Sequence, residues 1–162
     1  MTNANSFDFL VGTWSSRQRR LRTVLAGSDE WYEFTGDLRG WNLLDGAMNM
    51  DEVIFPELGT GGVTLRIHDV KADTWSIYWA GSRTGLSLPP VVGRFDDDGV
   101  GVFLSPDVYE GREILCRYRW SEITPVSARW DQAFSVDDGQ TWETNWIAEF
   151  TRTDQPTARS DG

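Results

Sequence analysis

The stretch Ser127-Ala128-Arg129-Trp130-Asp131-Gln132-Ala133-Phe134-Ser135, followed by Val136-Asp137-Asp138-Gly139-Gln140 and Thr141-Trp142-Glu143-Thr144-Asn145-Trp146-Ile147-Ala148-Glu149-Phe150-Thr151, reads as strand, turn, strand. Residues two apart in a strand share a face. In the first segment Ala128, Trp130, Gln132 and Phe134 lie opposite Arg129, Asp131, Ala133 and Ser135. In the second, Trp142, Thr144, Trp146, Ala148 and Phe150 lie opposite Glu143, Asn145, Ile147 and Glu149. The aromatic set of each is expected inside, which places the amide of Gln132 among rings. Between them Asp137-Asp138-Gly139 supplies the positive φ and side-chain caps of a hairpin turn.

The same grammar runs along the chain. Turn-like clusters recur at Leu25-Ala26-Gly27-Ser28-Asp29, Leu44-Asp45-Gly46, Leu58-Gly59-Thr60-Gly61-Gly62, Lys71-Ala72-Asp73, Asp96-Asp97-Asp98-Gly99 and Tyr109-Glu110-Gly111. They separate segments rich in Val, Ile, Thr, Tyr, Phe and Trp, which predict about ten strands. The strands are expected at 12–24, 31–38, 47–55, 63–69, 75–80, 91–95, 101–104, 113–121, 127–135 and 141–151. Short connections imply antiparallel neighbours, and a sheet this long curls shut because closure removes its edges. The expected fold is all-β, an up-and-down antiparallel barrel forming one domain over 1–153, with Ser6 capping a short helical plug that carries Phe7 and Leu10. The polar segment 154–162 is expected to be a disordered tail.

Composition narrows the function. The chain has 162 residues and a net charge of −10, which argues against nucleic acid as a partner. The basic run Arg17-Gln18-Arg19-Arg20-Leu21-Arg22 splits between two strand faces and reads as a solvated edge. No stretch approaches the roughly 18 apolar residues of a membrane span, and the first residues lack a secretory pattern, so a soluble cytoplasmic protein is expected. A single cysteine, Cys116, excludes an intramolecular disulfide and a Cys-pair metal site. Asp96-Asp97-Asp98-Gly99 lacks the later glutamate of a calcium loop and reads as a hairpin turn, so no metal is expected. Nine Trp and eight Phe are more ring surface than a domain of this size needs for its core, which points to a ring-lined cavity or an unusually aromatic interior.

Phe7-Asp8-Phe9-Leu10-Val11-Gly12-Thr13-Trp14 places a Gly-x-Trp at the start of the first strand. It resembles the lipocalin and wider calycin signature, in which the Trp closes the barrel floor under an Arg from the last strand; Arg152 matches that position. The segments 75–80, 82–85, 89–93, 127–135 and 137–146 are similar to an uncharacterised bacterial family of lipocalin-like barrels. The Gly-x-Trp and the strand count also resemble nitrobindin-like haem barrels, whose iron ligand is a histidine on a late strand. Here the only histidine is His68, on a middle strand, and it is read as an edge or solvent-facing residue. No cofactor is therefore expected.

Strand sorting gives the candidate ligand contacts: Trp79, Tyr118, Trp130, Trp146 and Gln132 facing inward, with Trp75, Ile77, Ile114, Cys116 and Trp120 beside them. Arg83 leads into a loop with Pro89-Pro90 and could meet an anionic group at a lid or entrance. On the third strand, Asp51 falls on one face and Glu52 on the other, so one acid points inward whichever face is buried. That acid is the candidate general acid or base; the alternative is an acid near the rim with Arg83 or Arg20 as its salt-bridge partner. Cys116 reads as an inert buried hydrophobe. Three functions remain open: a barrel binding a small apolar or aromatic molecule; a cofactor-independent isomerase or cyclase using Asp51 or Glu52; and a filled barrel acting as an interaction module. A homodimer is left open.

Overall fold

The computed structural model describes residues 2–154. Eleven strands are formed: β1 (Gly12–Leu21), β2 (Trp31–Leu43), β3 (Met48–Phe55), β4 (Thr60–Asp69), β5 (Thr74–Gly81), β6 (Gly85–Leu86), β7 (Val91–Phe95), β8 (Gly101–Tyr109), β9 (Arg112–Ser121), β10 (Ser127–Ser135) and β11 (Glu143–Arg152). They order as β4-β3-β2-β1-β11-β10-β9-β8-β7-β5, and β4 pairs with β5 to close the barrel. All pairings are antiparallel. The two-residue β6 is an appendage of β5, so the closed wall has ten strands. No helix among the described residues is long and apolar enough to cross a membrane.

One end of the barrel is shut. The expected helical plug is instead a single 3₁₀ turn, Asp8–Leu10, and Ser6 does not cap it: the Ser6 hydroxyl donates to the Asn3 carbonyl. Phe7 and Leu10 are nonetheless fully buried. Phe7 meets Trp75 edge to face at 5.1 Å and Phe95 at 5.2 Å, a geometry the ring quadrupoles favour. Gly40 is required where the turn crosses β2, because a Cβ there would run into the Leu10 carbonyl. Arg152 seals the same end. Its guanidinium sits 4.2 Å from the Trp14 ring centroid and donates to the carbonyls of Phe9, Val11 and Pro125, each at 2.8 Å.

Three features depart from simple alternation. First, β10 and β11 slip past one another: Gln132 faces Trp146, but Ala133 faces Thr144. The bulged Asn145 reverses parity, so Trp142 and Thr144 lie on the outer face rather than inside, and Trp142 carries the Arg117 guanidinium at 4.5 Å. Second, β8 continues beyond residue 104 through Pro106. That proline is accommodated because β8 pairs with β7 only as far as Leu104, after which only β9 lies beside it, and there is no ladder donor to lose on the open flank. Third, β4 turns Thr64 and Arg66 inward and Val63, Leu65 and Ile67 outward, where an outer ladder of Trp41, Met50, Leu65 and Tyr78 crosses β2 to β5. Apart from Asp154, which Arg152 Nη1 contacts at 3.2 Å, the expected tail lies outside the described residues.

Candidate functional site

Above the plug the interior is hollow, with a cavity of about 600 Å³. Ligand-binding cavities commonly span about 300–1,000 Å³. Its wall carries a chain of rings set edge to face. Trp79 meets Trp146 at 6.4 Å, Trp146 meets Trp130 at 5.4 Å, and Trp130 meets Tyr118 at 5.2 Å. Trp79 can lie flat against β4 because Gly62 has no side chain; a Cβ there would collide with the six-membered ring. Trp146 is fixed by Gln18, whose Oε1 accepts the indole N–H at 2.7 Å while its Nε2 donates to Ser16 Oγ at 2.8 Å. Ser16 in turn donates to the Gly36 carbonyl at 3.0 Å. Gln18 was not among the sequence candidates, although the parity of Trp14, Ser16, Gln18 and Arg20 on β1 could have found it.

Gln132 lines the cavity and spends its amide N–H on Asn145 Oδ1 at 2.9 Å, the bulged residue of β11. Neither the Trp130 N–H nor the Tyr118 hydroxyl hydrogen-bonds to another described residue, and both side chains line the cavity. Burial pushes the Tyr118 hydroxyl well above the usual phenol range, so it remains a neutral donor. The Cys116 thiol, also on the wall, is pushed up to about 12 by burial, with Asp107 adding to the effect, and carries no thiolate near neutrality.

The floor carries charge. Asp51 points inward and Glu52 outward into solvent, which decides the parity left open on the third strand. The partner of Asp51 is Arg66, neither Arg83 nor Arg20: Arg66 Nη2 donates to Asp51 Oδ2 at 2.6 Å, and Nη1 donates to Asn49 Oδ1 at 2.8 Å. Arg66 also lies 4.9 Å from the Phe7 ring centroid, so the pair sits directly on the plug. Desolvation raises the Asp51 carboxyl above the ordinary aspartate range, opposed by the charge and hydrogen bonds of Arg66 and a hydrogen bond from Thr64.

Two segments frame the open side. β7 pairs with β5 only at Trp75–Ile77, and the second half of β8 has no partner on that flank. Leu86, Ser87 and Leu88 line the cavity from one lip, and Asp107, Val108 and Tyr109 from the other. Arg83 is exposed on the β5–β6 turn and is not part of the lining. At the far end of β1 from the plug, Arg20 projects inward with its guanidinium 4.4 Å from the Trp146 ring centroid. His68 is neither an edge nor a solvent-facing residue: its side chain is 8% exposed and its Nε2 contacts Asp73 Oδ1 at 2.9 Å. Among the described residues no group of three or more His, Cys, Asp or Glu could hold a metal ion.

No protein-family model matches this chain, and no curated protein sequence matches it. In three dimensions it is similar to the S-type phycobiliprotein lyase CPES from Guillardia theta, with a TM-score of 0.61 over 96% of this chain and 94% of that one, at 13% identity. At that identity the likeness concerns the fold, a lipocalin-like closed β-barrel.

Proposed function

We propose that this protein binds a small apolar or aromatic molecule inside the barrel. The observation that carries the reading is the cavity of about 600 Å³ with a continuous wall of Trp79, Trp146, Trp130 and Tyr118. A barrel kept for stability alone gains by filling such a space, since each void forfeits dispersion contacts and costs free energy. An interaction module has no use for it. The similarity to a phycobiliprotein lyase puts an enzyme among the proteins built on this frame, and fold alone does not transfer an activity.

The test is a titration of the purified protein with aromatic and aliphatic small molecules, read by tryptophan emission and calorimetry. A ligand seated in the cavity quenches or shifts the emission saturably, and Trp130→Phe weakens its affinity. No saturable response, together with no binding of an apolar dye, overturns the reading. A second reading, an isomerase or cyclase with Asp51 as acid-base group, rests on that carboxyl lying in the cavity wall with its affinity for a proton raised. It requires chemical conversion of a bound ligand that Asp51→Asn abolishes without abolishing binding.

A further inference from the structure

Resting on that cavity-binding reading, we propose that the ligand is an amphipathic carboxylate whose apolar body lies among the rings and whose carboxylate pairs with Arg20 at the mouth. The two cavity arginines differ in one decisive respect. Arg66, on the floor, is neutralised by Asp51 and further held by Asn49. Arg20 has neither an ion-pair partner within 4.0 Å nor a hydrogen bond among the described residues. Its guanidinium is nevertheless not adrift: it stacks on Trp146, and Trp146 is pinned from behind by Gln18. A stacked guanidinium keeps its N–H groups in the ring-parallel plane free for a carboxylate, which it can grip with two parallel hydrogen bonds.

The rest of the basic run is spent elsewhere. Arg17 is exposed, Arg19 lies 5.7 Å from the Trp31 ring centroid, and Arg22 pairs with Glu30 at 3.4 Å and covers Tyr32. Arg20 is the one arginine of that run in the cavity lining.

Two other polar groups of the wall point to the same ligand chemistry. The Trp130 indole and the Tyr118 hydroxyl offer donors that no described residue takes up. Asp51 is committed to Arg66, which donates to its Oδ2 at 2.6 Å. Asp107, the remaining carboxylate in the lining, is exposed on the β8 lip and accepts the Val108 amide at 2.7 Å. A donor-rich wall with a preorganised, unpaired cation at its mouth selects an acceptor-bearing anion over a neutral or cationic molecule of the same shape.

Two matched pairs test this by calorimetry: decanoate against decanol, and 2-naphthoate against 2-naphthamide. The expected result is at least tenfold tighter binding of the carboxylate in at least one pair. Arg20→Met, which keeps the apolar stem over Trp146, then removes that advantage and leaves the neutral member's affinity within twofold; Arg83→Met, on the exposed turn, leaves the preference intact. Equal affinity within both pairs, or a preference that survives Arg20→Met in a variant with unchanged circular dichroism, overturns the proposal while the cavity reading stands. Failure of all four compounds to bind overturns the proposal, and if an apolar dye also fails to bind it overturns the cavity reading as well.

Discussion

Arg66 Nη2 donates to Asp51 Oδ2 at 2.6 Å, with the two side chains 3% and 2% exposed, on the floor of an otherwise ring-lined barrel. A buried pair of this kind gains little over a well-packed apolar substitute, because desolvation offsets the attraction, but removing one partner strands the other charge. Asp51→Leu is therefore expected to cost about 3–5 kcal/mol in urea unfolding. The double variant Asp51→Leu/Arg66→Met should recover most of that loss. A double variant as unstable as the single one would mean that the floor needs the charges themselves.

Much of the fold is legible in the sequence, because Gly and Asp mark the turns and most of the strands between them alternate. Tyr118, Trp130 and Trp146 sort to the interior because the opposite faces of their strands are largely polar, and Trp79 sorts with Trp75 and Ile77 although Tyr78 and Ala80 lie on the other face of that strand. The Asp51–Arg66 pair is not legible, for a physical reason. On β4 the apolar set Val63, Leu65 and Ile67 faces outward against Met48, Met50 and Tyr78, so a rule that buries apolar residues inverts the strand and hides Arg66. The bulge at Asn145 has no glycine to announce it, and it sends Trp142 outside. Arg20 is overlooked because a basic run reads as solvated until one member is found stacked on an indole.

Arg152 ties the last strand to the plug through three carbonyls and the face of Trp14. Hydrogen bonds from a charged donor contribute about 1.5–3 kcal/mol each, less at the exposed Pro125 carbonyl, and stacking adds to this. The bonds are not additive, so Arg152→Ala is expected to lower the unfolding free energy by about 3 kcal/mol, and Arg152→Lys to recover less than half. Equilibrium denaturation followed by tryptophan emission measures both. A Lys variant as stable as the parent would show that charge alone matters there.

Asp137 heads the β10–β11 turn. Its carboxylate accepts the Thr141 hydroxyl at 2.6 Å, the Thr141 amide at 2.9 Å and the Ser135 hydroxyl at 2.8 Å, and these bonds lower its pKa to about 2. The folded value lies below the unfolded one, so the unfolded chain binds the proton first as pH falls. The stabilisation is present above about pH 4 and is lost between there and about pH 2. Carboxyl NMR should place the Asp137 midpoint near 2, and Thr141→Val should move it toward the ordinary aspartate value. A midpoint that stays near 2 in that variant would transfer the effect to the Thr141 amide and the Ser135 hydroxyl.

Gly62 connects the sheet to the cavity. Its missing side chain is the space that the Trp79 six-membered ring occupies, and Trp79 begins the ring chain that continues through Trp146. A valine at 62 is well suited to a strand, so the backbone should accept it, but its Cβ cannot share that space with the indole. Gly62→Val is therefore expected to push Trp79 off β4 into the cavity and to weaken binding of an apolar probe by at least tenfold. The cost to stability should be about 1–3 kcal/mol, the range for an overpacked wall. Trp79→Ala in the same background removes the clash and should restore stability to within about 1 kcal/mol of Trp79→Ala alone. If Gly62→Val binds the probe as the parent does, Trp79 has room to move outward, and the wall of the site lies with Trp130 and Tyr118.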